Sequence, residues 1–156
     1  MISLKNKQSG FTIVELLIVI VVIGILAGLV ITTFTGIQQK ARNTERQTDI
    51  KAIHGQLEAY YAQNGIYPLL ADVNTVAWRQ ANMKGLDNEA LRDPKGATGV
   101  FTLVAAPATA AYSLQVYEAD GTTNCTVATN CAKYTLTSTL EGTINNSSTY
   151  AKSSLN

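Results

Sequence analysis

A long apolar stretch near the N-terminus constrains this chain more than any other feature of its sequence. Between Leu16 and Gln39 there is no charged residue. As an α-helix, with a rise of about 1.5 Å per residue, this stretch would extend roughly 36 Å. The hydrocarbon core of a bilayer is roughly 30 Å thick. The stretch is therefore long enough to span a membrane.

Two ordinary interpretations of this stretch leave something unexplained. A cleaved secretory signal peptide has a shorter apolar region, of about 7–15 residues, and then a small-residue cleavage site, which is not evident here. A plain single-span anchor fits the length and the basic Lys5 and Lys7 that precede it. It does not explain Glu15, because an ionisable side chain within a membrane segment is costly and usually paired.

The residues around this carboxylate resemble a known processing motif. Residues 10–17 read GFTIVELL and follow a short leader that contains lysine. The pattern is similar to the class III signal peptide of type IV pilins and the related pseudopilins. The resemblance implies that a prepilin peptidase cuts after Gly10 and methylates the new amine of Phe11, so that residues 1–10 are a cleaved leader. It also implies that Glu15 acts in assembly, by neutralising the N-terminal amine of a neighbouring subunit. The alternative is a pair with the amine of the same chain, since residues four apart are neighbours on a helix, and the two pairings can alternate between membrane and filament.

The same resemblance and the hydrophobic pattern predict an α+β, type IV pilin-like fold. One helix is expected from about residue 12 to residue 63. Residues 11–39 would be its transmembrane or filament-core half, and residues 40–156 would form a globular head that includes its second half. In that second half the apolar positions narrow to one face, which should cover the core: Ile50, Ile53, Leu57, Tyr60 and Tyr61.

The C-terminal part predicts an antiparallel β-sheet packed on this helix. Apolar and polar residues alternate with period two in residues 112–117 and 134–140. A short apolar run at 100–104 is a further strand candidate. Residues 142–156 are polar and are expected to fray.

Residues 69–99 are predicted to connect the helix to the sheet. A short helix is expected near 75–83, with Val76 and Trp78 facing the core. The sequence Asp-Pro-Lys-Gly at 93–96 predicts a turn.

No set of residues in this chain predicts catalysis or a cofactor. The single histidine, His54, and the two cysteines exclude most pairs of nucleophile and base. Asp87 and Glu89, with Asp93 nearby, could bind calcium, but a solvated acidic loop is the favoured interpretation. We therefore expect no enzyme activity, no cofactor and no metal.

The cysteines, Cys125 and Cys131, are separated by five residues. In an exported head such a pair favours a disulfide, and two free thiols are the alternative. Zinc binding is disfavoured, because a structural site normally needs four ligands and His54 lies on the predicted helix.

Charge gives no reason to expect a nucleic-acid partner. The chain has 12 basic and 11 acidic residues, and loss of Lys5 and Lys7 with the leader would leave 10 basic and 11 acidic. The mature chain would be near neutral, without the basic surface that nucleic-acid binding needs.

The expected function is that of a structural subunit of a type IV pilus filament, stored in the membrane and polymerised through its apolar helix. The implied partners are further copies of the chain, the prepilin peptidase and N-methyltransferase, a cytoplasmic assembly ATPase and a membrane platform protein. The head would be extracytoplasmic on a single-pass membrane protein, and extracellular once a pilus has assembled.

Two alternatives remain open. The Tyr67-Pro68 and Asp93-Pro94 pairs resemble features of pseudopilins of type II secretion systems, which act as a piston in transport, whereas the cysteine loop favours a pilin. A DNA-binding or adhesive minor pilin is disfavoured by the near-neutral charge.

Overall fold

The computed structural model describes residues 10–156, with the backbone alone for Thr32. The predicted leader, apart from Gly10, lies outside the described residues. Within residues 10–156 the helices are α1 (Ile13–Asn64), α2 (Leu70–Asn74) and α3 (Val76–Asn82), with short 3₁₀ helices at Asn88–Leu91 and Ala128–Asn130, and the strands are β1 (Tyr112–Tyr117), β2 (Lys133–Ile144) and β3 (Ser147–Ser153). The chain divides into two compact units, one that ends at Gln39 and one of Lys40–Asn156.

Helix α1 continues over its whole length because no proline precedes Pro68. It ends where the sequence predicts. Gly65 has a φ of 73°, and its N–H donates to the carbonyl of Tyr61 at 2.7 Å. A glycine in this left-handed conformation is a common helix terminator.

The core of the head forms around the predicted face of α1. Ile50, Ile53 and Leu57 are fully buried and belong to one cluster with Leu114 of β1 and Leu136 of β2. Each such side chain contributes roughly 1.5–3 kcal/mol when it leaves water. The apolar stripe therefore holds the sheet against the second half of α1, as the periodicity predicts.

The sheet in the described part of the chain has three antiparallel strands in the order β1-β2-β3. Leu114 lies opposite Leu136 between β1 and β2, and Ser138 lies opposite Tyr150 between β2 and β3. The predicted α+β class, with a long N-terminal helix and an antiparallel sheet, is confirmed.

Strand β3 corrects the prediction for residues 142–156. These residues were expected to fray, but seven of them form an edge strand. The reason lies in the turn: Asn145 and Asn146 have φ values of 52° and 63°. Positive φ at both central positions is typical of a tight two-residue hairpin turn, and asparagine tolerates it well.

The apolar run at 100–104 is not the regular strand that the sequence predicts. Within the described residues it forms no named strand, and Val104 makes an isolated bridge to Ser113 at the free edge of β1.

Helix α3 lies near the predicted place but with a different face inward. Val76 is 47% exposed, so its predicted inward orientation is wrong. Trp78 is partly buried against the core, with its ring 5.1 Å from that of Tyr60. The residue that α3 buries is Arg79, which hydrogen bonds to the backbone of α2.

Candidate assembly site

The first half of α1 exposes apolar side chains around its whole circumference. Those from Phe11 to Ile37 are half or more exposed, with few exceptions. One stretch of α1 is apolar and long enough to cross a membrane. A helix that is hydrophobic on all sides needs an apolar environment, either lipid or other helices. This apolar surface is therefore the candidate surface for contact with lipid or with other helices in the unit that ends at Gln39.

Glu15 lies at the start of this surface and caps the helix. Its Oε2 accepts the N–H of Thr12 at 2.8 Å and the hydroxyl of Thr12 at 2.7 Å. The Thr12 hydroxyl oxygen in turn lies 3.2 Å from the N–H of Glu15. This reciprocal arrangement is a capping box, which satisfies N–H groups that have no partner within the helix.

The cap gives Glu15 a local role that the sequence interpretation did not include. Glutamate in the first helical turn also meets the positive end of the helix dipole. Glu15 is exposed, so its carboxylate remains accessible to a further partner. The signal was present in the sequence as Thr12 followed three residues later by Glu15.

The predicted processing junction is accessible. Gly10 and Phe11 precede the first residue of α1, and both are exposed; Phe11 is 89% exposed. A protease needs an extended and accessible chain at the bond that it cuts. The exposed backbone at Gly10 and Phe11 is compatible with cleavage there.

The head has a buried ionic network that the sequence did not indicate. Arg46 donates from Nε and Nη2 to the two carboxylate oxygens of Asp93, at 2.6 and 3.0 Å. Both side chains are almost wholly buried. Arg46 Nη1 also lies 3.0 Å from Glu141 Oε1. The carboxylate of Asp93 raises the pKa of Arg46, so its guanidinium stays charged.

Glu141 joins three elements at the edge of this network. Arg42 donates to both of its carboxylate oxygens at 2.6 Å, and Lys95 Nζ is 2.8 Å away. The hydrogen bond from Arg42 is the main reason why the pKa of Glu141 lies well below its usual value. The network therefore connects α1, the turn at 93–96 and β2.

Asn43 binds the backbone of the same strand. Its Nδ2 donates to the carbonyl of Glu141, and its Oδ1 accepts the N–H of Glu141, both at 2.9 Å. The pairing of β2 with β3 is irregular between Thr139 and Ile144. Because Asn43 takes the backbone groups of Glu141, the strand can leave its regular ladder there without losing these hydrogen bonds.

The acidic residues that could have bound calcium have protein partners instead. Asp93 pairs with Arg46, Glu89 accepts from Arg92 at 2.9 Å, and Asp87 accepts the N–H of Glu89 at 3.1 Å. Among residues 10–156 no group of three side chains suited to holding a metal ion occurs.

A second polar cluster fixes the end of α1. Glu58 accepts the hydroxyls of Tyr67 and Tyr134 at 3.0 and 2.7 Å, and His54 Nδ1 lies 2.6 Å from the Tyr134 hydroxyl oxygen. Burial, together with the hydrogen bonds to Glu58, raises the pKa of both tyrosines. These bonds attach the loop after α1 and strand β2 to the helix.

Asp49 lies on the same helix in a partly buried position that disfavours its charged form. Its Oδ2 accepts the hydroxyl of Tyr112 at 2.7 Å. Burial raises the pKa of Asp49 to about 6, and the tyrosine hydrogen bond opposes this effect only in part.

The two cysteines form a disulfide, Cys125–Cys131. Cys131 is fully buried in the core, and Cys125 packs against it from a partly exposed position. The carbonyl of Cys131 accepts the N–H of Tyr67 at 2.9 Å. The disulfide therefore holds the loop between β1 and β2 at a point where that loop is already anchored in the core.

Comparisons with known proteins agree on the N-terminal part of the chain. Residues 5–31 match the family described as the prokaryotic N-terminal methylation motif. The chain is 42% identical over 64 residues to type II secretion system core protein G of Aeromonas hydrophila, and 40% identical over 63 residues to that of Vibrio cholerae. The protein G of Escherichia coli is 41% identical over 63 residues.

These matches cover 41%, 40% and 40% of this chain and 45%, 43% and 43% of the relatives. The matched part is thus less than half the length of these curated relatives. No solved structure matches the chain.

The motif and these relatives support one family, that of type IV pilins and pseudopilins, and the resemblance predicted from residues 10–17 is confirmed. It is a family of structural subunits, which implies self-assembly and processing by a prepilin peptidase. The apolar half of α1 and the motif together support membrane anchoring.

Proposed function

We propose that this chain is a pseudopilin, a subunit that polymerises through its N-terminal helix into the filament of a type II secretion system. The support is that the curated relatives at about 40% identity are type II secretion system core proteins. The pilus subunit expected first from the sequence is less well supported than this alternative. The observation that supports assembly itself is that the apolar half of α1 is exposed on all sides and has one carboxylate at its start.

The proposed processing follows the motif. The peptidase cuts between Gly10 and Phe11 and methylates the amine of Phe11, which removes residues 1–10. Residues 11–39 then hold the subunit in the membrane, and residues 40–156 form the head on the far side. Assembly draws on an ATPase and a platform protein of the secretion machine, with other copies of the chain as the direct partners.

Glu15 would exchange one partner for another during assembly. In the single chain its carboxylate is held by Thr12. In the filament it would face the amine of Phe11 in a neighbouring copy. At an effective dielectric near 20, two unit charges 4 Å apart attract by about 4 kcal/mol. That attraction is larger than the roughly 1 kcal/mol typical of a helix cap, and desolvation of the two charges offsets part of it.

The filament also satisfies the requirement of the apolar surface. Identical subunits related by a rotation and translation that does not close form a helical polymer. In such a polymer the helices replace lipid as the environment of each other's side chains. Little apolar surface meets water in either state, so the balance between membrane and filament is sensitive to a single ion pair.

The experiment that tests this function compares secretion with surface filaments. In a strain that lacks the chain, we expect type II substrates to accumulate inside the cell, and re-expression of the wild-type chain to restore their release. Surface filaments made by other subunits should be unchanged. Normal secretion in the deletion strain would contradict the proposal.

A type IV pilus subunit is the second candidate, and the disulfide-closed loop is the observation that favours it. The residues between the two cysteines are largely exposed, as expected of a loop on an outer filament surface. If the deletion strain loses surface filaments and keeps secretion, this second function replaces the first.

A further inference from the structure

Arg79 of α3 is a buried cation that lies outside the assembly site and outside the ionic network of Arg46. Its side chain belongs to α3 and is 3% exposed. Nη1 donates to the carbonyl of Val73 at 2.7 Å, and Nη2 and Nε lie 2.9 and 3.3 Å from Asn88 Oδ1. All of its hydrogen-bond acceptors are neutral. A guanidinium has five N–H donors, so two of them have no acceptor among residues 10–156.

Burial without an anion is an unusual environment for arginine. Among residues 10–156, no carboxylate forms an ion pair with Arg79, although Arg46 in the same head has two such partners. Removal from water lowers the pKa of Arg79, and no neighbouring charge offsets this effect. A buried charge is normally paired, because its lost hydration is otherwise uncompensated.

A cavity of about 160 Å³ lies against Arg79, and Asn88, whose amide oxygen contacts the guanidinium, also lines it. That volume exceeds the roughly 30 Å³ that one water molecule occupies in the liquid. The cavity carries a second positive charge and two amides on its wall. Its lining consists of Arg79, Gln80, Met83, Lys84, Leu86 and Asn88.

The acidic residues that are near the cavity in sequence do not provide an anionic partner for Arg79. Asp87 accepts the backbone N–H of Glu89, and Glu89 pairs with Arg92. Neither of these carboxylates lines the cavity. Lys84 is exposed and has no ion-pair partner among the described residues. The cavity therefore presents two positive charges to a ligand that enters from outside.

We propose that this cavity is a carboxylate-binding site, in which Arg79 is the buried cation and Lys84 the cation at the entrance. Arginine suits a planar carboxylate because its N–H groups match the two oxygens. Gln80 can donate a further hydrogen bond from its amide. The carboxylate comes either from an Asp or Glu side chain of a second copy of the chain or from a free carboxylate in solution.

Binding is tested on the full chain in a maltoside detergent, with sodium acetate as the probe. The Arg79 Nε–H signal is followed by nuclear magnetic resonance during the titration, and sodium chloride at equal ionic strength is the reference. We expect a saturable shift with acetate alone. Lys84→Gln should weaken acetate binding about two- to fivefold, the size expected for one exposed charge. Lys51→Gln, at an exposed position on α1, is the matched control and should bind as the wild type does.

A second variant keeps the test decisive without removing the arginine. Asn88→Asp places a carboxylate where the amide oxygen already contacts Nη2. We expect this variant to lose the acetate response and to unfold at a higher temperature, because the chain then supplies its own anion. Equal responses to acetate and chloride, unchanged affinity in Lys84→Gln, or a retained response in Asn88→Asp would each overturn the site.

A third measurement distinguishes the two sources, and it alone rests on the proposed filament. A carbodiimide joins the Lys84 amine to a carboxylate that it contacts. A Lys84 cross-link formed in filaments and absent from the detergent-dispersed chain identifies a neighbouring copy as the source. Acetate binding that persists in filaments, with no such cross-link, identifies a free carboxylate. Failure to obtain filaments would count against the proposed function and would leave the acetate result in force.

Discussion

Removing one partner from the buried ion pair of Arg46 and Asp93 should destabilise the head more than removing an exposed charge does. In Asp93→Asn, the guanidinium of Arg46 stays buried and loses a partner that now contacts it at 2.6 and 3.0 Å. Breaking one side of a buried pair costs about 3–5 kcal/mol. Glu141 remains 3.0 Å away, so we expect the lower end of that range, about 3 kcal/mol.

The assay is thermal unfolding of the full chain in detergent, followed by the near-ultraviolet circular dichroism of the head's tyrosines and Trp78. For a unit of this size, about 3 kcal/mol corresponds to a fall of roughly 10 °C in the unfolding midpoint. Glu89→Gln is the matched control. It removes an ion pair of 2.9 Å whose carboxylate is 58% exposed, and such pairs contribute about 0–1 kcal/mol. If Asp93→Asn destabilised the head no more than this control, the argument from burial would be refuted.

Three further predictions concern other groups. Burial raises the pKa of Asp49 to about 6 from the model-peptide value of 3.8, so its stabilising contribution is complete below pH 3.8 and is lost as the pH rises through 6. Asp49→Asn should therefore stabilise the head by about 1 kcal/mol at pH 8, after allowance for solvent screening, and have little effect near pH 4; equal effects in unfolding curves at both pH values would contradict this. Replacing Cys125 and Cys131 by alanine should cost about 2 kcal/mol and speed hydrogen exchange mainly in their loop, whereas loss of protection across the whole sheet would contradict the local role. The intact mass of the mature protein should equal that of a chain starting at Phe11 plus one methyl group, and a product with another first residue would exclude the proposed cleavage.

The parts of the fold that could be predicted are those in which apolar residues repeat at a regular spacing. Helical spacing identified the buried face with Ile50, Ile53 and Leu57, and alternation identified β1 and most of β2. Apolar periodicity works because the same hydrophobic driving force acts at every turn or every second residue.

The sequence contains no comparable periodic pattern that identifies buried charged residues. Arg46 and Asp93 are 47 positions apart in sequence, and only the packed structure shows that they meet. Helical periodicity identifies apolar faces only, and it gives no sign that Arg46 and Arg79 are buried. The same limitation explains why Val76, as an apolar residue, was assigned to the inside of α3.

Strand β3 was missed for a different reason. Its residues are mostly small and polar, and most of them are exposed, so alternation is faint. The useful signal was the Asn145-Asn146 pair, since both residues take positive φ in the turn. At the candidate assembly site the family motif predicts the role of Glu15, whereas the Thr12 cap is visible in the sequence only as a threonine three residues before a glutamate.

The measurement that tests the account most directly is the amount of filament made by a strain whose only copy of the chain carries Glu15→Ala. Anchoring should persist, because the apolar span is if anything more apolar. Losing the partner of a buried amine costs about 3–5 kcal/mol, which is a hundredfold or more in the partition between membrane and filament, by the rule of about 1.4 kcal/mol per factor of ten. Glu45→Ala, an exposed carboxylate on the same helix, is the control and should assemble normally. We predict that the sheared filament fraction loses at least nine-tenths of its subunit in Glu15→Ala while the membrane fraction keeps it. Filaments at wild-type abundance from that strain would contradict assembly through Glu15.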